Sequence, residues 1–570
     1  MEAGIGGIES STGDEISDGA RPERIPELTA DDPDGLAERA TEAAHEVVEA
    51  TDQFMSPGMA IEPAAQAEQV SQQAVEVVGR GAGLHEERRD IARAVFRLAW
   101  PAIAENALQT LLGIVDTAVV ARLGTAALSG VGASQQLIWV LSNLILAVSM
   151  GTTVLIARFT GARQPERANA ALKQSLLLGV VVSLMLMPVG LVAHPMLSML
   201  GLTPAAADAG ATYLSITLFM SMPLLLMFVA GAALRGAGDT RTPMYVTGFI
   251  NIINAILAVE LVFGGVKAST IFSDWLSGLL ALVGADVRVQ VPGLPWVPEM
   301  GVAGSAWATV IARTLGAAIL LSLFLRSRSY LQLWSVFGWR PNFDLMWRIL
   351  RVGIPSALEM LFMSLGILVY SFIVIGMGEV VFATSRLVLN AVFLSQMPGF
   401  GFSMAATTLV GQSLGARQPH RAWVGSWLAT RSALIWMSAM GVAFFFFGEQ
   451  ILRIFTDDPR LLALGDPAMK VVALSQPPLA VAFVLAGSLR GAGDVRFPMW
   501  VTTLAVWVVR LPTGAFLGLP TVCLPFTGVC LPGLGLGLVG IYTALIVEST
   551  LRAGLFFWRF RQGKWQSIKV

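Results

Sequence analysis

The amino-acid sequence predicts an all-α integral membrane protein: twelve transmembrane helices in two six-helix lobes, related by a parallel pseudo-two-fold repeat. Three observations carry this. The 570-residue chain is 55% hydrophobic and only 14% charged, with mean hydropathy +0.67, whereas a soluble domain is about 25% charged. Apolar runs of roughly 20 residues or more, long enough to cross a hydrocarbon core of ~30 Å, recur from Leu98 onward. Two phrases occur twice: GARQP, opening at Gly161 and Gly415, and LRGAGD, opening at Leu234 and Leu489.

The N-terminal part is of another kind. Residues 1–90 carry 21 acidic and 6 basic side chains, which leaves 18 acidic and 32 basic for the remainder. A segment this polar and poor in aromatics cannot bury enough apolar area to offset its ordering entropy. Residues 1–92 are therefore expected to form an acidic, largely disordered cytoplasmic extension, with loose helices over Gly35–Ala50 and Ala64–Val78. No apolar h-region follows a basic n-region, so it does not read as a secretory signal.

The spans then follow in order, near 98–121, 127–157, 167–194, 206–234, 242–264 and 301–325. A second set lies near 345–376, 380–411, 421–447, 468–489, 497–518 and 536–558. RLAWPAIAENALQ, from Arg97, aligns with RVGIPSALEMLFM, from Arg351, sharing Arg, Pro and Glu at an offset of 254. GARQP repeats at the same offset and LRGAGD at 255. An even number of spans per half leaves both halves the same way up, so the symmetry axis runs along the membrane normal. The expected divisions are a first lobe over 93–330, a cytoplasmic linker over 331–343 and a second lobe over 344–570.

Loops after even-numbered spans hold the arginines: Arg158, Arg163 and Arg167; Arg235 and Arg241; Arg326 and Arg328; and, in the second half, Arg417 and Arg421, then Arg490 and Arg496. The positive-inside rule then places both termini in the cytoplasm. RGAGD becomes the cytoplasmic turn between the fourth and fifth spans of each lobe. Its glycines permit a tight reversal, its arginines hold the turn at water, and the proline after it suits the start of a helix. A phosphate loop would need a preceding strand and a Lys-Ser/Thr close; neither is present. The first half is longer between Gly264 and Gly301 than the second is between Gly518 and Gly537. The insertion, IFSDWLSGLLALVG over 271–284, fits an interfacial helix on the outer surface.

Ionisable side chains inside spans are costly and are functional candidates by default. In the first span, Gln109 lies about 40° and Asp116 about 20° around the helix from Glu105, at ~100° per residue, so all three share a face. Glu359 is the repeat mate of Glu105, and a structural role for the pair fits equally well. Asp116, by contrast, corresponds to Tyr370, and Gln109 to Met363. That asymmetry places ion chemistry in the first lobe. Asn251 and Asn254 of the fifth span lie within about 60° of each other and can face Asp116. Glu359, Tyr370, Asn390, Gln396 and Glu260 are the candidates for a substrate cavity, with Arg386 and Arg510 read as structural partners. The four histidines are scattered, and Cys523 and Cys530 read as small apolar loop residues, so no metal centre is expected beyond Na+ at Asp116.

The duplicated RGxGDxRxPM turn, IVDTAVVARLG in the first span and PGFGFSMAATTLVGQSLGA across the eighth resemble the multidrug and toxic compound extrusion family, known as MATE. The resemblance covers residues ~95 to ~560, the membrane part placed by hydropathy. It implies a secondary antiporter with two six-helix lobes around a central cavity, exporting organic, cationic or amphiphilic compounds in exchange for H+ or Na+. It also implies that Asp116, the aspartate of the VDT motif, binds the coupling ion. The fifth span departs from the pattern. Relatives read like NIVLDPLFIFG where this chain reads NAILAVELVFG, so Asn254 is kept and Ala258 replaces the aspartate. Glu260 sits about 200° around the helix from Ala258 and cannot take over without a bend. The implied cation-coupling set is Asp116, Glu105, Gln109, Asn251 and Asn254.

A flippase or exporter of lipid-linked precursors or endogenous metabolites is the alternative, and it would be expected to carry a strongly basic cavity. An enzyme would need a convergent catalytic cluster, and the sequence offers none. The expected partners are small organic solutes and the lipid bilayer, with no nucleic acid and no cofactor. The expected form is a functional monomer in the plasma membrane.

Overall fold

The computed structural model describes residues 61–265, 267–271, 273, 297–326, 331–333, 339–523 and 530–568, with the backbone alone for 61–85 and Cys523. The chain divides into two compact units, residues 1–88 and 89–570. Gly35–Ala50, most of the 271–284 insertion and part of the linker lie outside the described residues. Within the first unit, residues 61–88 are helical.

Among the described residues eleven helices are long and apolar enough to cross a membrane, and a bent pair counted as one span makes twelve. We number them as spans 1 to 12: Glu86–Ala121, Thr125–Gly161, Pro165–Met199, the pair Pro204–Phe219 and Ser221–Ala237, Arg241–Phe263, Gly301–Leu325, Phe343–Ile375, Glu379–Gly415, Pro419–Arg453, Pro459–Gly491, Arg496–Gly518 and Gly537–Arg561. Local chemistry sets their ends. Pro165 and Pro419 open spans 3 and 9 at the first helical turn, where a missing N–H costs nothing. Asn342 caps span 7 by accepting from Leu345 N at 3.1 Å, and Asp458 caps span 10 by accepting from Arg460 N at 2.9 Å. Span 4 breaks at Met220, with a bend of 56°, whereas span 10 stays continuous through Pro477 and Pro478.

The two lobes meet at the end of the molecule that carries the duplicated turns. There Gly161 packs on the Gln412 carbonyl and Gly415 on the Arg158 carbonyl; a Cβ at either would overlap the facing backbone. These four residues are two pairs at the repeat offset, so the pseudo-two-fold axis passes between the ends of spans 2 and 8. The same two positions reach across the axis. Arg158 donates to Ala492 O at 2.9 Å, in the second lobe's RGAGD turn, and to Ile568 O at 3.0 Å. Gln412 donates to Gly236 O at 3.0 Å, in the first lobe's turn. Each lobe thus ties down the other's turn. Within the turns, Gly238 and Gly493 adopt φ of +94° and +88°, which side chains with a Cβ disfavour.

The first arginine of each turn is a correction to the sequence reading. Arg235 and Arg490 are only 9% and 8% exposed; they point inward to carboxylates rather than outward to water. A second correction concerns the cysteines. Thr521–Cys523 and Cys530–Pro532 pair as an antiparallel hairpin between spans 11 and 12, with Cys523 opposite Cys530. Cys530 is disulfide-bonded, and the chain has just these two cysteines.

Candidate coupling site

Asp116 lies in span 1, five residues before its end, and is 4% exposed. A carboxylate held this far from water needs donors, and spans 5 and 6 supply them. Asn254 Nδ2 donates to Asp116 Oδ1 at 2.7 Å. Thr309 Oγ1 lies 3.5 Å from Oδ2, with its single hydrogen shared between that oxygen and Ser305 O at 3.1 Å. Asn251, one turn from Asn254, donates to Leu108 O at 2.6 Å and so fastens span 5 to span 1. The fifth-span aspartate position, Ala258, is fully buried in an apolar cluster with Val119, Val259 and Val262.

Of the two fifth-span amides expected to face Asp116, Asn254 bonds it and Asn251 bonds the span 1 backbone instead; Thr309 and two further residues join the cluster. Tyr213 of span 4 is buried beside it, with its hydroxyl interacting with Gln135 and Thr309. Arg313, one turn beyond Thr309 on the same face of span 6, acts electrostatically on both Asp116 and Tyr213. Arg313 is missing from the expected site residues, and its signal in the sequence is a charge at the middle of an apolar span. Asn254 Oδ1 and Asn251 Oδ1 are buried without a hydrogen-bond partner. The site thus offers a carboxylate and free amide oxygens, which suits a proton or a small hard cation.

Other candidates separate from this cluster. Glu105 shares the helix face of Asp116 but lies eleven residues away, ~16 Å along the axis at 1.5 Å per residue. There it accepts from Arg235 Nη1 at 2.8 Å, both side chains being buried. Gln109 is half-buried and lines a narrow crevice with Glu105, Arg235, Pro243 and Thr247. Glu359 repeats the Glu105 arrangement. It lies 3.7 Å from Arg490 and accepts from Thr502 Oγ1 at 2.9 Å. The geometry moves Glu105 out of the coupling set and Glu359 out of the cavity set: each neutralises the buried arginine of its own lobe's turn.

Glu260 is 5% exposed, and its Oε2 has no partner. Asn390 is exposed and Gln396 half-buried in span 8. Tyr370 is 2% exposed and packs inside the second lobe, under the Arg510 guanidinium. Among the described residues no group of three or more His, Cys, Asp or Glu could hold a metal ion.

Comparison with known proteins agrees with this architecture. A sequence model of the MatE family matches residues 101–259 and 355–516, one match per lobe. The chain is 33% identical over 490 residues to "Probable multidrug resistance protein NorM" of Thermotoga maritima, across 85% of this chain and 95% of that one. It is 26% identical to "Uncharacterized transporter YisQ" of Bacillus subtilis, across 83% and 94%. Among solved structures, an outward-facing multidrug resistance MATE transporter superposes with a TM-score of 0.68 at 21% identity, covering 84% of this chain and 98% of that one. A transporter from Pyrococcus furiosus, described for the reversed polarity of its binding pocket, gives 0.69 at 20% identity, covering 83% and 95%. Two matched halves, twelve spans and a relative at this identity over most of both chains make this protein a member of the MATE family.

Proposed function

We propose that the protein is a secondary antiporter that exports organic, cationic or amphiphilic solutes in exchange for a cation taken up at Asp116. The observation that carries the reading is the Asp116–Asn254–Thr309 cluster, which has no carboxylate counterpart in the second lobe. A carboxylate in a low-dielectric site can alternate between neutral and charged forms. Its neutralisation changes what Asn254 and Thr309 are bonded to, and so favours one arrangement of spans 1, 5 and 6 over another. An ion gradient then biases which side of the cavity is open. The names of the curated relatives as multidrug resistance proteins support the efflux direction.

Arg313 favours the proton as coupling ion. A fixed guanidinium beside the site opposes a second cation, and Ala258 removes the carboxylate that would offset it; a proton needs one acid and no coordination shell. The flippase reading is weaker, because among the described residues three of the four buried arginines have a glutamate within ion-pair distance.

The duplicated-turn end is the cytoplasmic one, with both termini inside. The arginine-rich loops support this, and so does the disulfide hairpin between spans 11 and 12, since disulfides persist in oxidising compartments. The transporter acts as a monomer in the plasma membrane, with no cofactor.

The deciding experiment is substrate-driven ion flux in proteoliposomes, with pH and sodium gradients imposed separately. A pH gradient alone should drive export, and Asp116→Asn should abolish it. Export driven by sodium alone would overturn proton coupling, and unchanged export in Asp116→Asn would overturn the site.

A further inference from the structure

Four arginines are buried among the described residues: Arg235, Arg490, Arg510 and Arg552. Arg235, Arg490 and Arg552 each have a glutamate within ion-pair distance, at 2.8, 3.7 and 3.2 Å. Arg510 has none, yet it is 7% exposed and permanently charged. It ends a π-helical turn, Ala505–Arg510, inside span 11. Its Cζ lies 4.7 Å from the centre of the Tyr370 ring. That face supplies some attraction, but less than desolvation of a guanidinium costs.

The neighbouring polar atoms are also short of acceptors. Arg510 Nε is buried without a hydrogen bond, and the Tyr370 hydroxyl lies beside the Arg510 guanidinium and the Tyr542 hydroxyl without a well-aligned bond to either. The Tyr542 hydroxyl is engaged with Ser385, lying 3.2 Å from both its Oγ and its carbonyl oxygen. Around them pack Val374, Leu511 and Ile541. Spans 7 and 12, which pack on the turn of Arg510 in span 11, bring tyrosines and hydrocarbon, with Ser385 of span 8 behind Tyr542, and among the described residues no carboxylate lies within ion-pair distance. Unfilled donors around an uncompensated positive charge are the chemistry of an anion site. Its walls exclude an organic solute, since Tyr370, Tyr542 and Ser385 are at most 3% exposed.

We propose that Arg510 and the Tyr370 hydroxyl bind a chloride-sized monovalent anion inside the second lobe. The site stands where the repeat puts the counterpart of the Asp116 cluster, because Tyr370 corresponds to Asp116 at the offset of 254. One lobe then takes up a cation and the other holds an anion, in equivalent places with opposite fixed charge.

The test uses the full-length protein in detergent or nanodiscs, with halide as the probe. Thermal unfolding is followed while sodium gluconate is replaced by sodium chloride or bromide at constant sodium and ionic strength. Halide should raise the unfolding temperature of the wild type saturably. Arg510→Gln should remove that response, and Tyr370→Phe should weaken the halide midpoint by about tenfold, the loss of one hydrogen bond to a charged group. Crystals grown in bromide should give an anomalous peak beside Arg510 that Arg510→Gln lacks. The proposal is overturned if the wild type shows no saturable halide response, or if the response is intact in Arg510→Gln. A bromide peak without that response is an adventitious ion only and overturns it as well. Should Arg510→Gln fail to fold, Tyr370→Phe decides: an unchanged midpoint sinks the idea. The readout is binding, so it stands or falls apart from whether Asp116 couples transport.

Discussion

The two lobes share a backbone plan and differ in the charge at its centre. In the first, span 1 presents Asp116 to an asparagine and a threonine, 2.7 and 3.5 Å away. In the second, span 7 presents Tyr370 to Arg510. Near the duplicated turns the lobes are instead alike, each with a buried Glu–Arg pair made by the same two repeat positions. The repeat is kept in the Glu–Arg pairs near the turns and lost at the lobe centres. The physical reason is that breaking a buried ion pair strands a charge, whereas a donor–acceptor cluster can change its polarity if every member changes with it.

This contrast can be broken most severely at Asp116. Asp116→Asn is expected to lower ion-coupled export by at least about a hundredfold, the scale of losing a group that must transfer a proton, with folded protein still in the membrane. Tyr370→Phe should leave export within a few-fold. Equal losses in proteoliposome flux from both substitutions would mean that the lobes share the coupling chemistry.

The conserved pairs should show the opposite pattern, in stability rather than in ion dependence. Glu105→Gln leaves Arg235 buried and unpaired, at a cost of about 3–5 kcal/mol. Glu359→Gln should cost less, because that pair is longer, at 3.7 Å against 2.8 Å. Thermal unfolding of the purified variants checks the order. Glu105→Gln combined with Arg235→Met should recover much of the loss; if it does not, the pair has work beyond neutralising each other.

Arg313 sharpens the contrast within the first lobe. Arg313→Gln should permit sodium to compete with protons at Asp116, so that a sodium gradient begins to drive export. Asn254→Ala should move the pH dependence without abolishing flux, because it removes one donor to the carboxylate, worth about 1.5–3 kcal/mol. A sodium response unchanged from the wild type in Arg313→Gln would show that the guanidinium does not set ion choice.

The smallest effects belong to the ties across the axis. Arg158→Ala removes two donated bonds and Gln412→Ala one, each worth about 1 kcal/mol. Both should raise the population open at the duplicated-turn end, Arg158→Ala the more, as read by probe accessibility at residues near Gly161 and Gly415. A larger opening from Gln412→Ala would place the weight of the closure on the other side of the axis.

The sequence by itself determined the spans, the repeat and the shared helix face of Asn251 and Asn254, while packing decided that Asn254 is the one bonded to Asp116. Span length follows from bilayer thickness, and helical periodicity shows which residues share a face. Periodicity reports angle and says nothing of depth, so Glu105 and Asp116 fell on one face although ~16 Å of helix separates them. Pairing across helices was equally hidden. Arg235 and Arg490 sit in turns that read as watered loops, and only the packed lobes show them aimed at Glu105 and Glu359. Cys523 and Cys530 were too few to suggest a framework until the hairpin register set them opposite each other. Arg510 needed both the π-helical turn that places it and the packing that leaves it without an acid. A side chain's partner is chosen by how helices cross in three dimensions, and a single chain's pattern does not contain that choice.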